Sequence, residues 1–386
     1  MRTEEKQTAD RFDSHAVRSE AFSHIDDYID NFSYIKNVSS VLMYGKRTEE
    51  ALPWLSVVIP TFQRGRIFQE ALESILHQTP VDFDWEILIV DNTPLQKNES
   101  TPALDIIRRL DDPRVAYYHN RENIGIGYNW NRCAELAKGK WICFLHDDDL
   151  LCPNALLNIG RQIRNYHGKK PLGYLHARRV DFTDVPSFNC SKKYPPERLT
   201  RFGVLLSGCT GAGSPTCGTT ILRDAYFEAG GINYDFASSA DAVLCYQIMR
   251  RYAVVCSDRL LGGCRWDRNE TLKTATLLQL IQTDELLSKY TYSKTGFAAW
   301  WGHHFGAASS WRNIYRKQNT ADMNGLQLSK DDFRAASAYP EPKRIEKNIF
   351  LAIYAAYRLL RLVDGWLQQI FQWTRRLFLK HGKSAN

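Results

Sequence analysis

The stretch WICFLHDDDLL, residues 141–151, runs an apolar segment straight into three consecutive carboxylates, Asp147, Asp148 and Asp149. Adjacent carboxylates repel one another, and desolvating them without a partner is costly, so a fold keeps such a cluster in water or around a cation. The apolar run before it, ending in Phe144 and Leu145, reads as a buried strand. A triple negative charge at the end of a buried strand implies a bound metal.

Working outward, the flanking segments alternate between two periodicities. WLSVVIP (54–60) and WEILIVDN (85–92) are continuous apolar, β-rich runs, and between them IFQEALESILHQ (67–78) carries apolar residues at helical spacing. ALDIIRRL (103–110) reads as a helix, RVAYYHN (114–120) as a strand, and YNWNRCAELAKG (128–139) as a helix leading into strand KWICFL (140–145). Strands alternating with helices over about 100 residues imply βαβ units and an α/β fold with a mainly parallel, doubly wound sheet. The Asp triplet then lies at the carboxyl end of a central strand, where open α/β sheets bind ligands. Beyond it come a helix (154–166), a strand (172–180), a Pro/Ser/Lys-rich loop (183–201), a small-residue loop entering a strand (208–222), a helix from near Ser239 and a short strand at 253–257. From about 270 the pattern is helical.

Composition narrows the class. The chain has 386 residues, 44% hydrophobic, enough for one large domain with an appendage. Nine cysteines, an odd number without a C-x-x-C pair, point to a reducing cytoplasm. The N-terminal MRTEEKQTADRFDSH lacks the apolar core of a secretory signal, and no apolar run is long enough to span a membrane. From Lys343 onward nine basic residues face two acidic ones, which accounts for the whole net charge of +7. A basic surplus confined to one tail argues against a nucleic-acid footprint over the body. In that tail, residues 349–380 read as an amphipathic helix, or a pair broken near Gly365, rich in Trp and Phe and basic on the polar side. Such a helix can lie on an anionic membrane surface, pack on the body or form an oligomer seam.

Five motifs, LSVVIPTFQR, ILIVDN, NIGIGYNWN, FLHDDDLL and GGINYDFASSADAVLCYQI, stand in the order and near the spacing of family 2 glycosyltransferases of the bacterial surface-polysaccharide type. The resemblance covers about residues 54–268 and implies a GT-A nucleotide-diphospho-sugar transferase fold with a C-terminal helical extension. The divisions it suggests are a helical preface and linker (1–52), a catalytic domain (53–268), a helical region (269–342) and basic amphipathic helices (343–386).

The same resemblance assigns roles. Pro60 and Thr61 contact the nucleotide of the donor, Asp91 the base, and Asn123 and Asn131, in the spacing N-x-G-x(5)-N, shape the loop over it. HDDD is the metal motif: Asp147 turns to the ribose or diphosphate, and Asp148 holds a divalent Mn2+ or Mg2+, with Asp149 as a second ligand or helix cap. Asp241 is the general base, and Asp267 a further metal ligand. The chain departs from the family pattern at His146, at Trp130 (often Arg), at Ala240 (usually Glu) and at Asp267 (often His). GAGSP (211–215) is no P-loop, because no Gly-Lys-Ser/Thr follows; it reads as the acceptor-side loop. His303 and His304 beside Trp300 and Trp301 read as core or interface.

The implied function is metal-dependent, inverting transfer of a sugar from a nucleoside-diphosphate donor to a hydroxyl of a lipid-linked glycan at the inner membrane surface. Two other classes remain. A sugar nucleotidyltransferase would carry a Gly-rich, basic phosphate loop after its first strand, and PTFQRGR is a poor match. An inactive, membrane-bound scaffold would explain the four departures, whereas retention of Asp148 and Asp241 argues for activity.

Overall fold

The computed structural model describes residues 19–47, 52–95, 99–183, 189–195, 197–199, 217–266, 274–292, scattered positions from 300 to 319, 328–337, 339–356 and 359. Among these a single mixed sheet of ten strands forms the centre: β1 (Ser40–Tyr44), β2 (Leu55–Thr61), β3 (Trp85–Asp91), β4 (Val115–Asn120), β5 (Trp141–Phe144), β6 (Leu150–Leu151), β7 (Leu172–Phe182), β8 (Glu197–Leu199), β9 (Thr219–Leu222) and β10 (Ala253–Arg265). The order is β1-β4-β3-β2-β5-β9-β7-β10-β6, with β8 on β10. Strands β4, β3, β2 and β5 are parallel neighbours, as are β7 and β10, while β9 runs antiparallel between β5 and β7.

The helices are α1 (Arg66–Leu76), α2 (Pro102–Ile107), α3 (Ile126–Leu136), α4 (Ala155–Arg164), α5 (Arg223–Glu228), α6 (Ala240–Ile248), α7 (Thr274–Tyr292) and α8 (Lys330–Ala336). Two apolar clusters cover the two faces of the sheet. Phe68, Leu72, Ile75, Leu104 and Leu156 from α1, α2 and α4 pack on one face, and Cys133, Ala134, Tyr226, Val243 and Leu244 from α3, α5 and α6 on the other. Every residue of β2 is buried, which is why its sequence is an unbroken apolar run and does not alternate.

The first crossovers lead leftward from β2 to β3 and β4, and the chain then returns to β5 on the other side of β2. The gap between β2 and β5 is therefore the topological switch point, where a crevice opens at the strand ends. Pairing of β2 with β5 stops at Val58 and Phe144, whereas pairing with β3 continues to Thr61 and Asp91. Pro60, which has no N–H to donate, sits just past that divergence.

Two expectations change. The N-terminal preface is more than helical: after two 3-10 turns, Ser19–His24 and Asn31–Ile35, it contributes edge strand β1, antiparallel to β4. Phe22 and Ile25 are buried in the main core. The short strand at 253–257 is the first third of β10, and residues to Arg265, expected partly as loop, continue it because β7 offers a parallel partner out to Phe182.

Candidate active site

The crevice between β2 and β5 is closed by the Asp triplet. Asp147 Oδ2 accepts from Thr61 Oγ1 at 2.8 Å and from Phe62 N at 3.3 Å, so the end of β2 and the loop after β5 are joined through this carboxylate. Arg64 bridges the next pair, with Nε 3.3 Å from Asp147 Oδ1 and Nη2 3.3 Å from Asp148 Oδ2. Asp149 is wholly buried: Oδ1 accepts from the Arg265 backbone N at 3.0 Å, and Oδ2 from Cys217 Sγ at 3.2 Å. Arg265 is fully engaged as framework, donating also from Nε to the Asp148 carbonyl at 3.1 Å and from Nη2 to Glu70 Oε2 at 2.6 Å.

Burial pushes the Asp147 carboxyl up to about 6, against the pull of the Arg64 guanidinium; the charge on Asp148 adds to the rise. Asp148 is also raised, by burial and then by Asp149. Carboxylates strained in this way gain from a cation. His146, Asp148 and Asp149 each bring a ligand atom to within 4.8 Å of the others, and His146 Nε2 is buried without a hydrogen-bond partner among the described residues. The donor set of two carboxylates and an imidazole fits a divalent metal. The departure from the family pattern at His146 thus adds a donor to the site, and the ring leans on Trp130 with centroids 5.1 Å apart. Asp267 lies outside the described residues, as do the loop at 211–215 and His303 and His304.

Asp241 stands in the first turn of α6, and its Oδ1 accepts from Ala242 N at 2.6 Å. Burial raises its pKa; the bond from Ala242 N and the Arg179 guanidinium lower it, and Asp284 raises it further. Asp284 comes from α7 and is buried in the same corner, with Oδ1 3.5 Å from Ser239 Oγ, two residues before Asp241. Ala240 removed the carboxylate that the sequence pattern leads one to expect beside the base, and Asp284 supplies a negative charge from 43 positions away in the chain. Replacing Asp284 with Asn should therefore lower the apparent pKa of Asp241, read as an acid-side limb of the pH–rate profile displaced to lower pH. An unmoved limb would show that the two carboxylates do not interact.

Two expected nucleotide contacts have other work. Asp91 is completely buried, and both its oxygens are taken inside the fold: Oδ1 accepts from Thr93 N at 2.7 Å, and Oδ2 from Thr101 Oγ1 at 2.8 Å and Tyr117 OH at 2.6 Å. It ties the ends of β3, β4 and α2 together. Asn131, equally buried, fastens α3 to the turn before Asp241: Oδ1 accepts from Tyr226 OH at 2.8 Å and Ile232 N at 2.7 Å, and Nδ2 donates to the Ile232 carbonyl at 2.9 Å. Gly231 in that turn has φ of +77°, and an added Cβ would come within 2.7 Å of Asn131 Oδ1. Asn123 is exposed and accepts from Gly125 N at 2.9 Å, shaping the loop into α3. Thr61 and Asp147 meet where the ends of β2 and β5 diverge. Arg64, Arg179 and Asp284 were given no role from the sequence: Arg64 is the last residue of the motif LSVVIPTFQR, three past the end of β2, and the other two come from distant elements.

Residues 56–201 match the family model described as glycosyl transferase family 2. An uncharacterised protein of Mycobacterium tuberculosis is 30% identical over 221 residues, 53% of this chain and 64% of that protein. The GalNAc(5)-diNAcBac-PP-undecaprenol beta-1,3-glucosyltransferase of Campylobacter jejuni is 36% identical over 130 residues, 33% of this chain and 37% of that protein. The chain thus spans less than two thirds of either relative. Among solved structures, Staphylococcus aureus TarS in complex with UDP-GlcNAc superposes with a TM-score of 0.51 at 15% identity, over 73% of this chain and 79% of that one, a likeness of fold.

Proposed function

We propose that the chain, whose residues 56–201 match the family 2 model and whose fold resembles that of TarS, is a family 2 glycosyltransferase that transfers a sugar from a nucleoside-diphosphate donor to an acceptor hydroxyl with inversion. The observation that carries this reading is the nearness of two groups: a carboxylate cluster fit for a metal at the end of β5, and a half-buried carboxylate of raised pKa, Asp241, at the start of α6, which interacts electrostatically with His146 of that cluster. Thr61 and Asp147, at the mouth of the switch point, are placed to meet the nucleotide.

Asp241 takes the proton of the acceptor hydroxyl as its oxygen attacks the anomeric carbon, and the bond from that carbon to the diphosphate oxygen breaks on the opposite side. A raised pKa makes Asp241 a better proton acceptor than an ordinary carboxylate. A Mn2+ or Mg2+ ion held by Asp148, Asp149 and His146 would offset the charge of the departing diphosphate.

A lipid-linked glycan at the inner membrane surface is the proposed acceptor, in keeping with the undecaprenol-linked substrate in the name of the Campylobacter relative. Residues 344–356 form a helix that leaves Ile345, Ile349 and Leu351 exposed beside the basic C-terminal segment, and these suit a surface contact. No helix among the described residues is long and apolar enough to cross a membrane.

The test is release of nucleoside diphosphate from a panel of sugar nucleotides with Mn2+. One donor should be consumed, and Asp148→Asn should cut its consumption by about a hundredfold or more. Turnover that survives both that substitution and removal of divalent ions would reject the metal reading, and no turnover with any donor would favour a scaffold.

A further inference from the structure

We propose that Arg64 is the resident counter-cation of the Asp147–Asp148 pair, which it yields to the metal ion on loading, and that it then binds the donor diphosphate. This rests on the glycosyltransferase reading of the same crevice.

Three features of the geometry support an exchange. Arg64 reaches both carboxylates, yet each contact is 3.3 Å, whereas Arg265 to Glu70 and Arg161 to Asp258 in the same molecule are 2.6 Å. Charge-assisted bonds normally close to about 2.7–2.9 Å, so the guanidinium balances the charge of this pair without being locked to it. Its side chain is 30% exposed while those of Asp147 and Asp148 are 12% and 14%, so it caps the pair from the solvent side and has room to leave. The loop that carries it is pinned on both sides: Phe62 N donates to Asp147, and Gln63, at φ of +53°, donates its N–H to Thr93 Oγ1 at 2.6 Å. Arg64 can therefore swing while its backbone stays at the mouth of the crevice.

A guanidinium and a divalent ion cannot share Asp148 at contact distance, because their repulsion would cancel much of the attraction that each has for the carboxylate. The incoming diphosphate brings new negative charge to the same mouth, and the planar fork of an arginine matches phosphate oxygens. Arg265 is held away from this part, since its backbone N, Nε and Nη2 are committed to Asp149, Asp148 and Glu70. The same residue thus weakens metal binding before the nucleotide arrives and strengthens nucleotide binding after it.

The experiment measures Mn2+ binding to the full chain by calorimetry or electron paramagnetic resonance, alone and with UDP or GDP, for the wild type, Arg64→Met, Arg64→Lys and Arg66→Met. Arg66, with a side chain 92% exposed, controls for loss of a nearby charge. Arg64→Met should bind Mn2+ alone about tenfold more tightly, and should bind the nucleotide with saturating Mn2+ about tenfold more weakly. Arg64→Lys should keep wild-type affinity for Mn2+ alone, and Arg66→Met should change neither. Mn2+ affinity that is equal in the wild type and Arg64→Met would overturn the counter-cation role, and nucleotide affinity that is equal would overturn the diphosphate role. If no protein bound Mn2+, the metal reading itself would fail, an outcome distinct from both.

Discussion

Asp241→Asn should lower the turnover number by about a thousandfold while nucleotide binding stays within a factor of a few. A positioned general base contributes roughly 10²–10⁴ to rate, and Asp241 is the carboxylate that the first turn of α6 itself supplies. Asparagine keeps the shape of the side chain and an oxygen for the bond from Ala242 N, so the wall of the crevice is preserved. On the proposed reading the nucleotide meets Thr61 and Asp147, not Asp241, so its affinity should hold. Equal loss of turnover and nucleotide affinity would mean that the substitution has collapsed the site, and unchanged turnover would remove Asp241 from the mechanism.

Asn131→Leu should unfold the protein at a markedly lower temperature. The leucine would leave the Ile232 N–H, the Ile232 carbonyl and the Tyr226 hydroxyl without their buried partner. Each unsatisfied buried group costs about 1–3 kcal/mol, so a total of roughly 3 kcal/mol or more is expected. That corresponds to a fall of about 6–12 °C in the melting temperature for a domain of this size. Asn123→Ala, at an exposed loop position, should stay within about 1 kcal/mol. If Asn131 acted mainly on the nucleotide, the melting temperature of the free protein would hold and ligand binding would fall.

The parallel heart of the sheet was legible because burial on both faces leaves unmistakable runs, as in LSVVIPT and WEILIVD, and because local helices with clear periodicity separate them. The position of the Asp triplet followed from the run before it. Strand β1 was not legible: its five residues, SVLMY, are only half-buried, and their partner β4 lies some 75 residues away. The length of β10 depended likewise on its distant partner β7. Among the candidate site residues, motif matching named Thr61, Asp147, Asp148 and Asp241 but could not tell a buried brace from an exposed contact. Asp91 and Asn131 carry residue types suited to nucleotide recognition, and in the fold both spend their polar atoms on internal bonds. Asp284 could not be found by spacing, because helix α7 brings it to Asp241 from beyond the last motif.

The most direct test of the central claim, a metal-assisted nucleotide site at the β2–β5 switch point, is thermal unfolding of the purified chain with each of several nucleoside diphosphates, with and without Mn2+. A ligand that binds only the folded state raises the melting temperature, by an amount set by its concentration relative to its dissociation constant. One diphosphate should stabilise the protein when Mn2+ is present, more than either component alone, and Asp148→Asn should abolish the increment. A folded chain that responds to no diphosphate with Mn2+, or responds equally after Asp148→Asn, would show that the carboxylate cluster is not a metal–nucleotide site.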